Sequence, residues 1–388
     1  MTSAPGVGLA GRAVAMDPLS DLLRVVRLDG AYFFGEGHGA DRIALGHPSY
    51  AVTIPGPGAA SAGTRIGFSN LRQEADSVDI LDAIGNTSIV RLRTVVPPAC
   101  ADIFVKLEWE NPTGSMKDRM ALAVIARAAE DGRLQPGDTV VEYTGGSTGT
   151  SLALVCAARG YRCHIVTSDA FSREKRDHMA ALGAALTLVP SEGGRTTKKL
   201  ILDMIEAARA LSRQPQTCWT DQLNNHDSIA GYYPLAEEIW RQTAGTVDAF
   251  VHSVGTAASS RGVATVLKRY KPGVRIIAVE PAESPVLLGG QPGPHKIEGV
   301  GIGFTPPLWE PALVDEIQPV STDDAKAMAR RLAREEALFA GTSSGANVVA
   351  AIRVAERLGA GATVVTLLCD SGLKYLSTDV YGPRAVPE

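Results

Sequence analysis

From about residue 76 onward, short apolar runs alternate with stretches of helical length, and this alternation restricts the fold more than any single motif. The runs Ile103–Leu107, Thr139–Tyr143, Cys163–Thr167, Leu186–Pro190, Ala249–Ser253, Arg275–Val279 and Thr363–Leu368 read as strands. Between them Met116–Glu130, Thr148–Arg159, Arg173–Leu182, Lys198–Arg213, Ser260–Arg269, Thr322–Ala337 and Gly345–Arg357 read as helices. Apolar strands separated by helices predict an α/β fold, with parallel-type sheets flanked by helices. Ligands in such sheets bind beyond the carboxyl ends of the strands, so the loops there carry the function.

Four loops of this kind hold reactive or anion-binding residues. The first is Asn111–Arg119, which puts Lys117 at the mouth of a helix. Read alone, Lys117 is either a solvated surface lysine or an amine able to form a Schiff base with an aldehyde cofactor. The second, Thr144-Gly145-Gly146-Ser147-Thr148-Gly149, opens a helix after a strand. Its glycines, free N–H groups and hydroxyls suit a carboxylate. The third, Gly255-Thr256-Ala257-Ala258-Ser259, has small residues and hydroxyls at a helix start, which suits a phosphate. It carries neither a Walker lysine nor a G-x-G-x-x-G pattern. The fourth, Asp370-Ser371-Gly372, follows the last strand. Each loop alone is more simply a turn. A lysine, a phosphate loop, a carboxylate loop and a polar strand end together describe a site for pyridoxal phosphate and an amino acid.

The same stretches resemble the cysteine synthase family, the fold-type II β-replacement enzymes that include O-acetylserine sulfhydrylase and cystathionine β-synthase. The likeness lies in LDAIGNTSIVRL (Leu81–Leu92), KLEWENPTGSMKDR (Lys106–Arg119), AVEPAESPVLLGGQPGPHKIEGVGIGF (Ala278–Phe304), RLAREEA (Arg331–Ala337) and DSGLKYLST (Asp370–Thr378). It implies a two-domain, tryptophan synthase β-like fold with pyridoxal 5'-phosphate between the domains. The smaller, mobile domain would take residues 111–221, and the larger, cofactor-binding one 76–110 with 222–388. It assigns Lys117 as the Schiff-base and catalytic lysine. Ser147, Gly255, Thr256, Ala257, Ala258, Ser259 and Ser371 would complete the cofactor site, with Ser371 on the pyridine nitrogen. Thr144, Gly145, Gly146, Thr148, Gln222 and Gly301 would hold the substrate, and no metal is expected.

The implied reaction is β-replacement on O-acetylserine or O-phosphoserine with a sulfur nucleophile, giving L-cysteine or S-sulfocysteine. Two departures bear on this. Ser147 stands where the family has an asparagine that contacts the ring hydroxyl, and the phosphate loop has alanines in place of glycines. Alanine tolerates positive φ poorly, so that loop is expected in ordinary helical or extended conformations. The departures keep two alternatives open: a different nucleophile for a specialised metabolite, or a non-catalytic cofactor-binding regulator.

Composition agrees with a small-molecule enzyme. The chain has 388 residues, 45% of them hydrophobic, and a formal net charge of −4. No basic patch suggests nucleic acid. No apolar run reaches membrane-spanning length and no secretory leader is evident. Five cysteines without metal-type spacing point to reduced thiols in the cytoplasm. The family implies a homodimer. Residues 1–75 are rich in Gly, Ala, Pro and Ser and read as an extension of low order or a fused remnant. Within them Met16–Leu28 is predicted as a short amphipathic helix. Met16–Leu23 followed by Gly30–Phe34 resembles the start of the cupin-like sensor domain of AraC-type regulators.

Overall fold

The computed structural model describes residues 79–194 and 197–382, together with the backbone of four short strands earlier in the chain. Those strands are β1 (Leu23–Leu28), β2 (Ala31–Glu36), β3 (Ile43–Ala44) and β4 (Ala51–Val52). They form one sheet in the order β1-β2-β3-β4, within a unit comprising Met1–Asp76. The helix expected over Met16–Leu28 is thus corrected over its second half. Leu23–Leu28 pairs antiparallel with β2, Leu28 opposite Ala31. The two residues between them are Asp29-Gly30, a strong hairpin signal in sequence, and Val25-Val26 favours a strand. The remainder of that stretch, and most of the regulator-like resemblance, lie outside the described residues.

The second unit, Ser77–Glu388, contains two parallel sheets. In chain order its elements begin with β5 (Ile89–Arg91), β6 (Asp102–Leu107), α1 (Lys117–Glu130), β7 (Thr139–Tyr143) and α2 (Ser147–Arg159). Next come β8 (Arg162–Ser168), α3 (Arg173–Ala181), β9 (Ala185–Val189), α4 (Lys198–Ser212) and β10 (Thr217–Trp219). The last part holds α5 (Tyr233–Gln242), β11 (Ala249–Ser253), α6 (Ala258–Tyr270), β12 (Arg275–Pro281), β13 (Glu316–Val320), α7 (Thr322–Glu335), α8 (Thr342–Leu358) and β14 (Thr363–Leu368).

The smaller sheet runs β10-β7-β8-β9, all parallel. The larger runs β13-β12-β11-β14-β6-β5, parallel except where β5 meets β6. β6 comes early in the chain but pairs with β14, the last strand. Central strands β11 and β14 are buried at every position, which is why they read as predominantly apolar runs.

Helix α1 touches both halves of this architecture. Ala121, Ile125 and Ala128 pack in the core of the smaller sheet with Val140, Leu152 and Ile165. Met116 and Met120 pack with Phe250, Val365 and Leu367 of the larger sheet. The first turn of α1 therefore sits at the junction of two cores. Helix α8 packs closely on α7 because Gly345 lies against it; a Cβ there would come 2.0 Å from Ala325 O. Ser321 caps α7 by accepting from Asp324 N at 3.1 Å.

Candidate active site

The sequence Lys117-Asp118-Arg119 divides its labour by burial. Asp118 accepts from Thr113 N at 2.8 Å and from Ser151 Oγ at 2.5 Å, tying the entry loop to α2. Arg119 bonds Glu108 at 2.7 Å and Glu238 at 2.8 Å, all three buried. Met116 N donates to Cys369 O at 2.9 Å, which fixes the helix mouth to the end of β14. With its neighbours held inward, half-buried Lys117 opens into a cavity of about 1070 Å³. Among the described residues its Nζ has no hydrogen bond or ion pair. Burial lowers its pKa, so a larger share of the amine is unprotonated than on the surface.

Thr144, Gly145, Gly146, Ser147 and Thr148 line one wall of this cavity, as does Gln222. Gln222 is buried and oriented at both ends. Its Nε2 donates to Tyr143 O at 2.7 Å, and its Oε1 accepts from Thr148 Oγ1 at 2.9 Å. Behind it Glu142 accepts from Tyr143 N and Gln222 N, both at 2.9 Å, and from Thr220 Oγ1 at 2.6 Å. Burial pushes the Glu142 carboxyl up to about 7, against the pull of these donors. Ser147 starts α2 and donates to Asp370 Oδ2 at 3.3 Å.

The opposite wall includes Gly255, Thr256 and Ser259 at the start of α6, and Gly301. Ala257 and Ala258 point away from the cavity and are buried. The expectation of ordinary conformations in this loop is corrected at Ala257, whose φ is +69°. The chain makes the same left-handed turn a glycine would. Ala257 packs in the apolar cluster of Val254, Val263 and Phe250, contacts set against a conformational cost of about 1–2 kcal/mol.

Ser371 is also corrected. It does not line the cavity; its Oγ accepts from Leu373 N at 3.2 Å and caps the turn Gly372–Tyr375. Its position is set by a backbone bond to Gly114 O at 3.0 Å. The polar group at this end of the cavity is instead Ser343, in the first turn of α8 beside Cys369. The helix pattern placed the start of α8 at Gly345, three residues late, and so hid Thr342 and Ser343. Gly341-Thr342-Ser343-Ser344-Gly345, a hydroxyl-rich turn before an apolar helix, was the available signal.

Sequence reasoning missed other lining residues too. Lys175 from α3 is buried, 2.6 Å from Glu298 and 4.4 Å from the Tyr375 ring centroid. His252 and Ser253 end β11, and His295 bonds Gly301 O at 2.8 Å.

Pyridoxal phosphate fits these walls. It needs an amine for its aldehyde, donors for its phosphate and polar groups about its ring. Lys117 could supply the first, and the α6 turn with Ser259 the second. Ser253 Oγ and Asp370 Oδ1 are buried without a protein partner, and both residues line the cavity. Orphaned groups of this kind mark a place where a polar ligand completes the hydrogen bonding.

Comparison with known proteins agrees with this geometry. The family profile described as pyridoxal-phosphate dependent enzyme matches residues 80–370. A cysteine synthase of Staphylococcus aureus is 44% identical over 310 residues, spanning 78% of this chain and 96% of its own length. The crystal structure of cysteine synthase from Entamoeba histolytica matches with a TM-score of 0.74 at 37% identity, covering 86% of this chain and 96% of that one. That of O-ureido-L-serine synthase matches with a TM-score of 0.72 at 37% identity, covering 80% and 96%. With a profile spanning most of its length and a relative at that identity, the chain belongs to the family of pyridoxal-phosphate dependent enzymes that contains the cysteine synthases.

Proposed function

We propose that the protein replaces the β-substituent of an activated L-serine, O-acetylserine or O-phosphoserine, with a sulfur nucleophile to give L-cysteine or S-sulfocysteine. One observation carries the reading: Lys117, the Thr144–Thr148 loop and the Gly255–Ser259 loop line a single cavity. Pyridoxal phosphate, when bound, supplies an electrophilic carbonyl and an electron sink for charge developing at the substrate Cα.

The residues divide the remaining work. The hydroxyls and N–H groups of Thr144–Thr148, with Gln222, hold the substrate carboxylate and so orient the Cα–H bond. Lys117 Nζ, its pKa lowered by burial, removes that proton and later returns it. Gly255, Thr256 and Ser259 would hold the phosphate, Ser147 and Asp370 would serve the ring hydroxyl, and Ser343 would serve the ring nitrogen. A neutral hydroxyl there cannot keep that nitrogen protonated as a carboxylate would, which favours rapid departure of the leaving group. We place the moving part in residues 111–221, around the smaller sheet; its closure keeps water from the reacting carbon.

The protein is proposed to act as a homodimer in the cytoplasm. All five cysteines are free, which suits a reducing compartment. Among the described residues no helix is long and apolar enough to cross a membrane.

The test is product analysis with both serine esters, each with sulfide and with thiosulfate. Formation of L-cysteine or S-sulfocysteine, abolished in Lys117→Ala, is the expected result. No turnover with either ester would sink the assignment. Ser147, shorter than the asparagine of the family and bonded to Asp370, favours one second reading, a different nucleophile on the same serine carbon. A nucleophile panel scored by product mass separates the two.

A further inference from the structure

Below the turn Gly255–Ser259, the end of β11 carries a polar triad that neither Lys117 nor the carboxylate loop uses. It comprises His252, Ser259 and Asn347, which are 3%, 8% and 0% exposed. Their hydrogen bonds favour one placement of the protons. Asn347 Oδ1 accepts from Ser253 N at 2.7 Å, and a backbone N–H can only donate, so the amide cannot be flipped. Its Nδ2 therefore donates to Leu367 O at 2.9 Å, and its other hydrogen has His252 Nδ1 and Cys369 Sγ, each 3.4 Å away, as acceptors. His252 Nδ1 is then the acceptor, and the ring proton sits on Nε2. That atom lies 2.8 Å from Ser259 Oγ and donates to it. Ser259 makes no other side-chain hydrogen bond among the described residues. With its oxygen accepting from His252, its own O–H is left to donate, and Ser259 lines the cavity at the start of α6.

We propose that His252 is a positioning residue for the anion bound at this turn: it fixes the rotamer of Ser259 so that the hydroxyl donates to the phosphate of the cofactor. The inference rests on the reading of Gly255–Ser259 as the phosphate site. The ring must stay neutral for this polarity, because an imidazolium would need a second acceptor where Asn347 offers an N–H. Burial, reinforced by the charge of Lys117, holds the imidazole pKa down to about 3, so it is neutral throughout the working range. The relay also accounts for how a loop carrying Ala257 in a left-handed turn can hold its ligand. Its last hydroxyl is pre-set by the strand beneath, and a pre-set donor loses no rotamer freedom on binding.

The experiment compares two aldehydes on the full-length, cofactor-free chain: pyridoxal 5'-phosphate and pyridoxal, which lacks the phosphate. Dissociation constants are measured for wild type, His252→Phe, His252→Gln, Ser259→Ala and the double variant His252→Phe/Ser259→Ala. Losing one oriented hydrogen bond to a charged group is expected to weaken pyridoxal phosphate binding about tenfold in His252→Phe. Pyridoxal binding should stay within about twofold. His252→Gln, which keeps an N–H donor, should recover most of the loss. The double variant should bind no worse than Ser259→Ala, and the ³¹P resonance of the bound cofactor should move in His252→Phe. Equal weakening for both aldehydes would mean that His252 only packs, and unchanged phosphate affinity would mean that it does nothing; either result overturns the relay. An unchanged preference for the phosphorylated aldehyde in Ser259→Ala overturns the relay, whereas the absence of any such preference in the wild type overturns the phosphate reading of the loop. That result is told from failure of the cofactor assignment itself by the visible absorbance of the Lys117 adduct.

Discussion

Thr144–Gly149 and Gly255–Ser259 both lead from the carboxyl end of a parallel strand into a helix, and both line the cavity, yet they depend on glycine to different degrees. In the first, Gly146 has φ +149° and a Cβ there would fall 2.2 Å from Lys175 Cδ. At Gly145 it would meet the Phe171 ring at 2.7 Å, and at Gly149 the Met179 Sδ at 2.4 Å. Side chains from α3 and the β8–α3 turn press directly on this backbone. In the second loop a Cβ at Gly255 would fall 2.3 Å from Gly299 O, and Ala257 keeps a glycine-like turn with a methyl group in place. The difference teaches that the Thr144–Gly149 loop is pressed at three glycines by side chains, and the Gly255–Ser259 loop at one glycine by a neighbouring backbone.

The largest test removes the residue both loops serve. Lys117→Ala should lower turnover by about 10³-fold and abolish the visible absorbance of the holoenzyme. Persistence of that absorbance would remove Lys117 from its role. Next, Gly146→Ala should damage only the carboxylate loop. The serine ester KM is expected to rise about a hundredfold, near 3 kcal/mol, while cofactor affinity stays within about twofold. A matching loss of cofactor affinity would mean the two loops are not independent.

Glu142→Gln is expected to be milder, raising the same KM about tenfold with kcat nearly unchanged, since Glu142 acts through Gln222 and the Tyr143 backbone. Its pH signature follows from the direction of its shift. The folded carboxyl is raised to about 7 from the ordinary 4.5 of a glutamate, so its protonated form is the one favoured by folding. Its contribution to stability is greatest below about pH 4.5 and is lost as pH rises towards 7. The clamp runs the other way. Only the carboxylate accepts all its donors, so KM should climb as pH falls below about 7, and Glu142→Gln should flatten that climb. A wild-type KM independent of pH between 6 and 8 would break this link. The smallest effect belongs to Ala257→Gly. Relief of about 1–2 kcal/mol of left-handed strain, less about 0.5–1 kcal/mol of added chain entropy, leaves a gain near 0.5 kcal/mol by thermal unfolding. A clear destabilisation would show that the methyl packing outweighs the strain.

The α/β elements were legible because buried parallel strands are predominantly apolar runs. Thr139–Tyr143, Ala249–Ser253 and Thr363–Leu368 have the bounds their sequence predicts. Ile89–Arg91, Thr217–Trp219 and Glu316–Val320 were not read: each is short and lies at a sheet edge, where burial is partial and the apolar signal fades. At the site, Lys117 and the hydroxyl and glycine positions were readable from residue type. Ser371 was misread because its neighbours match the family while its hydroxyl is consumed by a local cap. Ser343 was overlooked because a helix start rich in hydroxyls has no apolar period.

The sequence alone settles the alternation of the central strands with helices, the lysine at the mouth of α1 and the family, since each is carried by local pattern or by contiguous residues. Tertiary structure decides which serine reaches the cavity, that an alanine holds a left-handed turn, and that His252 and Asn347 meet under the phosphate loop. These depend on contacts between residues about 95 apart in the chain, and on burial that fixes a tautomer. No local pattern encodes a hydrogen bond whose partners are brought together only when β11, α8 and β14 share one core.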